Sequence, residues 1–215
     1  AFFLVNPGNP SAVALSEKTI AKIGAILKKR PELILLTDDV YGTFVPGFRS
    51  LLGAFPYNTI GVYSYSKYFG CTGWRLGVIA VHEDNLFDKL IAQHPESTLK
   101  KLDKRYSALT LEPRKLRFID RIVADSRDVA LNHTAGLSLP QQVMMALFSL
   151  YELMDTKKTY QKACIGIVKK RVYATIEGLG IKVDENPNFD WYYGIIDLEF
   201  WLKKYVDADC VAWIR

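Results

Sequence analysis

Residues 63–77 read YSYSKYFGCTGWRLG. A single lysine, Lys67, follows an apolar run and stands among serines and aromatics, with Gly70 and Gly73 after it and Arg75 eight residues on. Glycines permit close backbone approach to a ligand, and hydroxyls beside a guanidinium are what a phosphate needs. Such a turn gains meaning from the strand that delivers it and from whatever else reaches the same edge.

Three β-rich apolar runs lead up to it: FFLV (2–5), LILL (33–36) and TIGVYSY (59–65), each followed by turn or polar residues. Between the first two, SEKTIAKIGAILKKR (16–30) sets Ile20, Ile23, Ile26 and Leu27 at helical spacing behind Ser16, a good N-cap. A strand, a helix and a strand in that order make a right-handed crossover between parallel strands, so a sheet buried on both faces is expected. Asn9, Asp38 and Lys67 stand at or just past the ends of the three runs, 29 residues apart in each case. That interval is one strand-helix-strand unit and brings all three to the sheet edge where open α/β folds bind ligands. LGVIAV (76–81) follows the glycine loop too soon for a crossover and is expected to run antiparallel.

From Asp84 to about Asp128 the chain reads as a charged helical insert without a strand signal. LPQQVMMALFSLYELMD (139–155), opened by Ser138 and Pro140, is apolar almost all round, the pattern of a buried helix. A second long helix, about 156–178, ends at Gly178 and Gly180, and a strand-and-helix pattern restarts in IKVDENPNF (181–189) and YYGIIDLEFWLKKYV (192–206). The expected organisation is α/β. Residues 1–155 form part of a larger domain with an insert at about 84–128, and residues 156–215 begin a smaller α+β domain. A strand that opens at Ala1 and an end without a stop signal lead us to expect a piece of a longer protein.

The net charge of +5 is local: residues 100–121 hold eight Lys/Arg against three Asp/Glu. No aromatic platform is interleaved with these charges, so a solvated helical face is expected rather than a nucleic-acid site. Cys71, Cys164 and Cys210 are odd in number and far apart, which argues against a disulfide framework and for a reducing compartment. His82, His94 and His133 lack paired metal-ligand spacing, and no metal site is expected. Asn132-His133-Thr134 matches a glycosylation acceptor, a triplet common by chance. No apolar run is long enough for a membrane span, and none is expected.

A lysine that bonds to an aldehyde must lose its proton near neutral pH, which burial and a nearby positive charge, here Arg75, promote. Ser64, Ser66, Gly70, Gly73 and Arg75 offer the means to hold a phosphate. An aldehyde that carries a phosphate and is bound by a lysine points to pyridoxal 5'-phosphate. Asp38 is then suited to pair with the pyridinium nitrogen, Tyr41 to donate to the ring's phenolic oxygen, and Asn9 to hold that oxygen from the other side. Each residue alone has a plainer reading: Asp38 and Asp39 as turn caps, Lys67 as a surface lysine, Tyr41 as core, Arg75 as a structural ion pair. Cys71 reads as a small apolar filler. Only the cofactor requires all of the others together.

NPGNP (6–10), DDVYGTF (38–44) and SYSKYFGCTGWRLG (64–77) resemble the three signature blocks of fold type I pyridoxal-phosphate enzymes, the aspartate aminotransferase superfamily, in order, spacing and residue type. The resemblance implies that Asn9, Asp38, Tyr41, Ser64, Lys67 and Arg75 bind the cofactor, with Ser66 also offered to the phosphate. Lys67, Asp38 and Tyr41 are the implied catalytic residues, Lys67 holding the aldehyde covalently. The implied sheet is mostly parallel with one antiparallel strand, flanked by helices. The insert, DSRDVALNHTAGLSLPQQVMMALFSLYELMD (125–155) and residues 192–206 are similar to the aspartate 4-decarboxylase branch, which also has aspartate aminotransferase activity. That likeness implies removal of the β-carboxylate of L-aspartate to give L-alanine and carbon dioxide, with amino transfer to a keto acid as a side activity. It also implies a cytoplasmic homodimer or larger homo-oligomer. A plain class I/II aminotransferase acting on aspartate or a related amino acid and a pyridoxal-phosphate-binding regulatory module remain as alternatives. Arg215 comes too soon after the start of the second domain to be assigned to the substrate α-carboxylate.

Overall fold

Strand β1 (Phe2–Val5) leads into helix α1 (Glu17–Lys29), whose first turn is held by the Ser16 hydroxyl accepting the Thr19 N–H at 3.2 Å. Glu17 in the first turn and Lys28 and Lys29 in the last suit the helix dipole. The chain returns as β2 (Leu35–Asp38), crosses through the short α2 (Leu51–Ala54), and returns again as β3 (Thr59–Ser64). β4 (Gly77–Val81) closes a sheet of order β1-β2-β3-β4. The first two pairings are parallel and the last is antiparallel. We describe this computed structural model over residues 1–129, 136–181 and 185–197. Asn132-His133-Thr134, Cys210, Arg215 and the end of the 192–206 block lie outside the described residues.

Register places Val5, Asp38 and Val62 side by side, so the three parallel strands reach the same edge of the sheet, with β3 running on to Ser64. Leu35 and Thr37 oppose Thr59 and Gly61, and all four are buried. On that face Leu35 packs with Ile20 and Leu27 of α1 and Leu51 of α2. A Cβ on Gly61 would lie 2.9 Å from Leu52 Cδ2, so glycine lets α2 settle onto β3. The opposite face, with Leu36, Asp38, Ile60 and Val62, is half-buried, and Phe2, Phe3 and Ile79 on the outer strands are exposed. Burial on both faces, expected from the parallel topology, is therefore replaced by one closed and one half-covered face, because α1 and α2 both pack over Leu35. Replacing Ser16 with alanine removes the α1 cap and is expected to lower stability by about 1 kcal/mol, read as a lower midpoint in urea denaturation.

The insert contains α3 (Leu86–Ala92), α4 (Glu96–Tyr106) and α5 (Phe118–Val129). Three of its arginines are paired inside the insert: Arg105 with Asp125, Arg114 with Glu96 and Asp103, and Arg117 with Asp120. Arg121 is buried, its guanidinium 4.9 Å from the Tyr106 ring centre. Helix α6 (Leu139–Met154) follows, then α7 (Thr159–Gly178). α6 is not the buried helix its composition suggested. One side meets the loop after β3, through Tyr65 OH with Ser149 Oγ at 2.7 Å and Phe69 stacked on Phe148. Leu139, Val143, Leu147, Leu150 and Met154 are exposed, since only that one side has cover among the described residues. No helix among the described residues is long and apolar enough to cross a membrane.

After α7 the chain turns back to the first strand's loop. Ala14 N–H donates to Asn188 O at 2.8 Å, Asp190 N–H donates to Ala12 O at 2.8 Å, and Val13 bridges Phe189. Residues 185–197 carry this isolated bridge in place of the strand expected there.

Candidate active site

The loop after β1 is closed by its own polar groups. Asn6, buried, continues the ladder by donating its N–H to Asp38 O at 2.8 Å, while its Oδ1 accepts the Leu15 N–H at 2.9 Å. Gly8 and Ala12 close the turn through Gly8 N–H to Val13 O at 3.1 Å and Ala12 N–H to Gly8 O at 2.7 Å. Asn9 is left exposed at the tip.

Asp38 ends β2 with its side chain half-buried, and its Oδ1 accepts the Val40 N–H at 3.1 Å. Asp39 points into the fold: it accepts the Thr37 hydroxyl at 2.6 Å. Burial pushes the Asp39 carboxyl up, hydrogen bonds from Ser50 and Thr37 oppose this, and the Asp38 charge adds to it. Three residues after Asp38, Tyr41 is buried in a cluster with Val40, Phe44 and Tyr68, against which Tyr160 and Ile165 of α7 pack. Burial, then a hydrogen bond to Tyr193, hold the Tyr41 hydroxyl protonated far above the usual phenol range.

Ser64 ends β3. Its hydroxyl donates to Leu76 O at 3.4 Å and accepts the Ser66 N–H at 3.2 Å. The turn that follows holds itself shut: Cys71 Sγ donates to Tyr65 O at 3.2 Å, Thr72 Oγ1 to Ser66 O at 3.3 Å, and Gly70 supplies a left-handed φ of 61°. Cys71 is the buried apolar filler expected, and burial pushes its thiol up, away from the reactive thiolate. Ser66 and Tyr68 are buried on either side of Lys67, which is half-buried with its Nζ 5.9 Å from the centre of the Tyr192 ring. Arg75 stands across the turn, next to Leu76, whose carbonyl accepts the Tyr65 N–H at 3.1 Å. Its Nη1 donates to Thr72 O at 3.2 Å, and the side chain is exposed.

The most direct link between the expected residues runs through one that sequence reasoning missed. Asn9 Nδ2 donates to Tyr193 OH at 3.3 Å, and the Tyr193 and Tyr41 hydroxyls share a hydrogen bond. Asn9 and Tyr41 thus meet on a single phenolic oxygen. Tyr192 packs 5.1 Å from the Tyr41 ring and also faces Lys67, so an aromatic wall joins the two blocks. Asp190, fully buried, accepts the Tyr192 N–H at 2.8 Å, and burial pushes its carboxyl up to about 6 against the pull of the Tyr192 and Tyr193 amides. No periodicity or spacing in the sequence marks Tyr193. Only the return of the chain after α7 puts it there.

The structure therefore brings Asn9 and Tyr41 together through Tyr193, and Tyr41 and Lys67 together through Tyr192. It sets Asp38 and Ser64 at the ends of adjacent strands, Ser64 beyond Val62, the register partner of Asp38. Arg75 belongs to the same turn but faces solvent. A cavity of about 470 Å³ lies elsewhere, in the insert between Asp88, Asp103, Arg114 and Arg121.

Residues 1–124 match the family model of class I and II aminotransferases. A bifunctional aspartate aminotransferase and L-aspartate beta-decarboxylase from a Pseudomonas species is 54% identical over 199 residues, 92% of this chain and 38% of that protein. An aspartate/prephenate aminotransferase of Nitrosomonas europaea is 37% identical over 82 residues, 35% of this chain and 21% of its own length. The chain thus spans well under half of the curated relatives it matches. Among solved structures, N-succinyldiaminopimelate aminotransferase from Mycobacterium tuberculosis aligns with a TM-score of 0.50 at 21% identity, over 87% of this chain and 39% of that one. The shared architecture is fold type I, with its mostly parallel sheet and one antiparallel pair. With more than half of its residues under the family model, the chain belongs to the class I and II aminotransferases.

Proposed function

We propose that this chain supplies the lysine-bearing part of an enzyme that acts on L-aspartate, removing its β-carboxylate to leave L-alanine and exchanging amino groups with a keto acid. The cofactor is pyridoxal 5'-phosphate, which supplies, when bound, an electron-accepting ring that stabilises negative charge at the substrate α-carbon. The observation that carries the reading is the meeting of Asn9 and Tyr41 on one phenol oxygen, next to a Tyr192 ring that faces Lys67, because those two groups are the ones assigned to the cofactor's phenolic oxygen. The 54% likeness to a bifunctional relative supports the choice of substrate and reaction.

Within this reading Lys67 holds the aldehyde carbon, Asp38 the ring nitrogen, Asn9 and Tyr41 the phenolic oxygen, and Ser64, Ser66 and Arg75 the phosphate. Once released, the Lys67 amine takes the proton from the substrate α-carbon as a general base and returns it as an acid. Asp38 keeps a proton on the ring nitrogen by its negative charge. Within the same reading, Tyr41, Tyr192 and Tyr193 would serve to limit water around the bound substrate, which would favour loss of carbon dioxide over hydrolysis to oxaloacetate. We place the domain boundary in the link between α6 and α7, where Lys158 has a φ of 53°. The exposed apolar side of α6 supports a homo-oligomer, and we place the enzyme in the cytoplasm.

The test is a product assay. The holoenzyme given L-aspartate is expected to release alanine and carbon dioxide in equal amounts. Oxaloacetate without alanine would leave a plain aminotransferase and remove the decarboxylase reading.

A further inference from the structure

Counting hydrogens at the Asn9–Tyr193–Tyr41 cluster assigns Tyr193 a task of its own. An amide nitrogen carries two hydrogens, and a tyrosine hydroxyl carries one hydrogen and can accept others. Asn9 Nδ2 spends one hydrogen on Tyr193 OH, and Tyr193 can then donate its own to Tyr41. This arrangement leaves the second hydrogen of Asn9 and the hydroxyl hydrogen of Tyr41 both free for one further oxygen. Burial keeps Tyr41 neutral and hence a donor.

Tyr193 is also built into place. Its ring packs edge-on against Tyr41 at 5.0 Å and Tyr192 at 5.3 Å. Its backbone follows the turn capped by Asp190, which is tied in turn to Ala12 of the loop that carries Asn9. A donor held this way polarises the hydroxyl it donates to and strengthens that hydroxyl's own outgoing bond.

We propose that Tyr193 is a positioning residue for the cofactor's phenolic oxygen, orienting the Asn9 amide and sharpening Tyr41 as a donor from a segment 152 residues away. This rests on the reading of the site as a pyridoxal-phosphate site. Weaker donation from Tyr41 leaves more negative charge on the phenolic oxygen, so a protonated nitrogen beside it gives up its proton at higher pH.

The test is an absorbance pH titration of the Lys67-linked chromophore in the holoenzyme, with the wild type, Tyr193→Phe, Tyr41→Phe and the double variant. Tyr193→Phe removes one oxygen and keeps the ring. We expect its midpoint to rise by about 0.5 pH unit and that of Tyr41→Phe by about 1 or more. The double variant should shift by less than the sum of the two single shifts, since the part of the Tyr193 effect that runs through Tyr41 is already lost. An unmoved midpoint in Tyr193→Phe overturns the assignment, as does an additive shift in the double variant. Tighter cofactor binding with an unmoved midpoint would show instead that Tyr193 competes for the place of the phenol. If the wild type has no Lys67-dependent band, the reading of the whole site falls and takes this assignment with it. A band that is present but indifferent to Tyr193 removes this assignment alone.

Discussion

Replacing Lys67 with alanine is expected to abolish the near-visible absorbance band of the holoenzyme and to lower turnover by about ten-thousandfold. Lys67 sits in a turn locked by its own hydrogen bonds, between buried Ser66 and Tyr68, with its amine directed toward the Tyr192 ring. Alanine leaves that scaffold in place. Lys67 belongs to neither apolar cluster, so the variant should unfold within about 0.5 kcal/mol of the wild type. Loss of activity with unchanged stability separates a chemical role from a structural one. A variant that keeps its band and more than about a tenth of its turnover would show that another amine serves the reaction.

The second large effect concerns two adjacent carboxylates. Asp38→Asn keeps an oxygen for the Val40 N–H but removes the charge proposed to hold the ring nitrogen. A charge-assisted hydrogen bond contributes about 1.5–3 kcal/mol, so turnover should fall by up to about a hundredfold, with faster cofactor release. Asp39→Asn is the contrast. Asp39 is committed to Thr37 and Ser50, so its variant should lose stability and largely keep its turnover. Steady-state kinetics with a dialysis assay for cofactor release distinguish the two. If Asp39→Asn proves the more damaging to turnover, the ring nitrogen has been assigned to the wrong residue.

Much of the sheet was legible because apolar runs and short links constrain topology strongly. The antiparallel β4 follows from chain length alone: the turn is too short for a crossover. β2 illustrates the limit. Its run was read as residues 33–36, yet the strand is Leu35–Asp38, because pairing with Phe2–Val5 carries the polar Thr37 and Asp38 into the ladder. The candidate site residues sit where polarity and strand geometry conflict, so a hydrophobicity reading stops short of them. α6 failed for a different reason: composition reports how apolar a helix is but not what covers it.

Within the site, Asn9, Asp38, Tyr41, Ser64 and Lys67 were all named from local patterns, each being attached to a strand end. Tyr193 was not, since its contact with Asn9 joins residues 184 apart. Two tyrosines in YYG carry no periodic signal that distinguishes a site residue from plain core.

The backbone bonds from Ala12 and Ala14 to Asp190 and Asn188 form a clasp across the chain. While it holds, the segment through Tyr193 moves as one body with the loop bearing Asn9, although it comes after α7 in sequence. Opening the clasp would free Tyr193 from Asn9 and Tyr41 together, so that both contacts depend on the same few backbone hydrogen bonds.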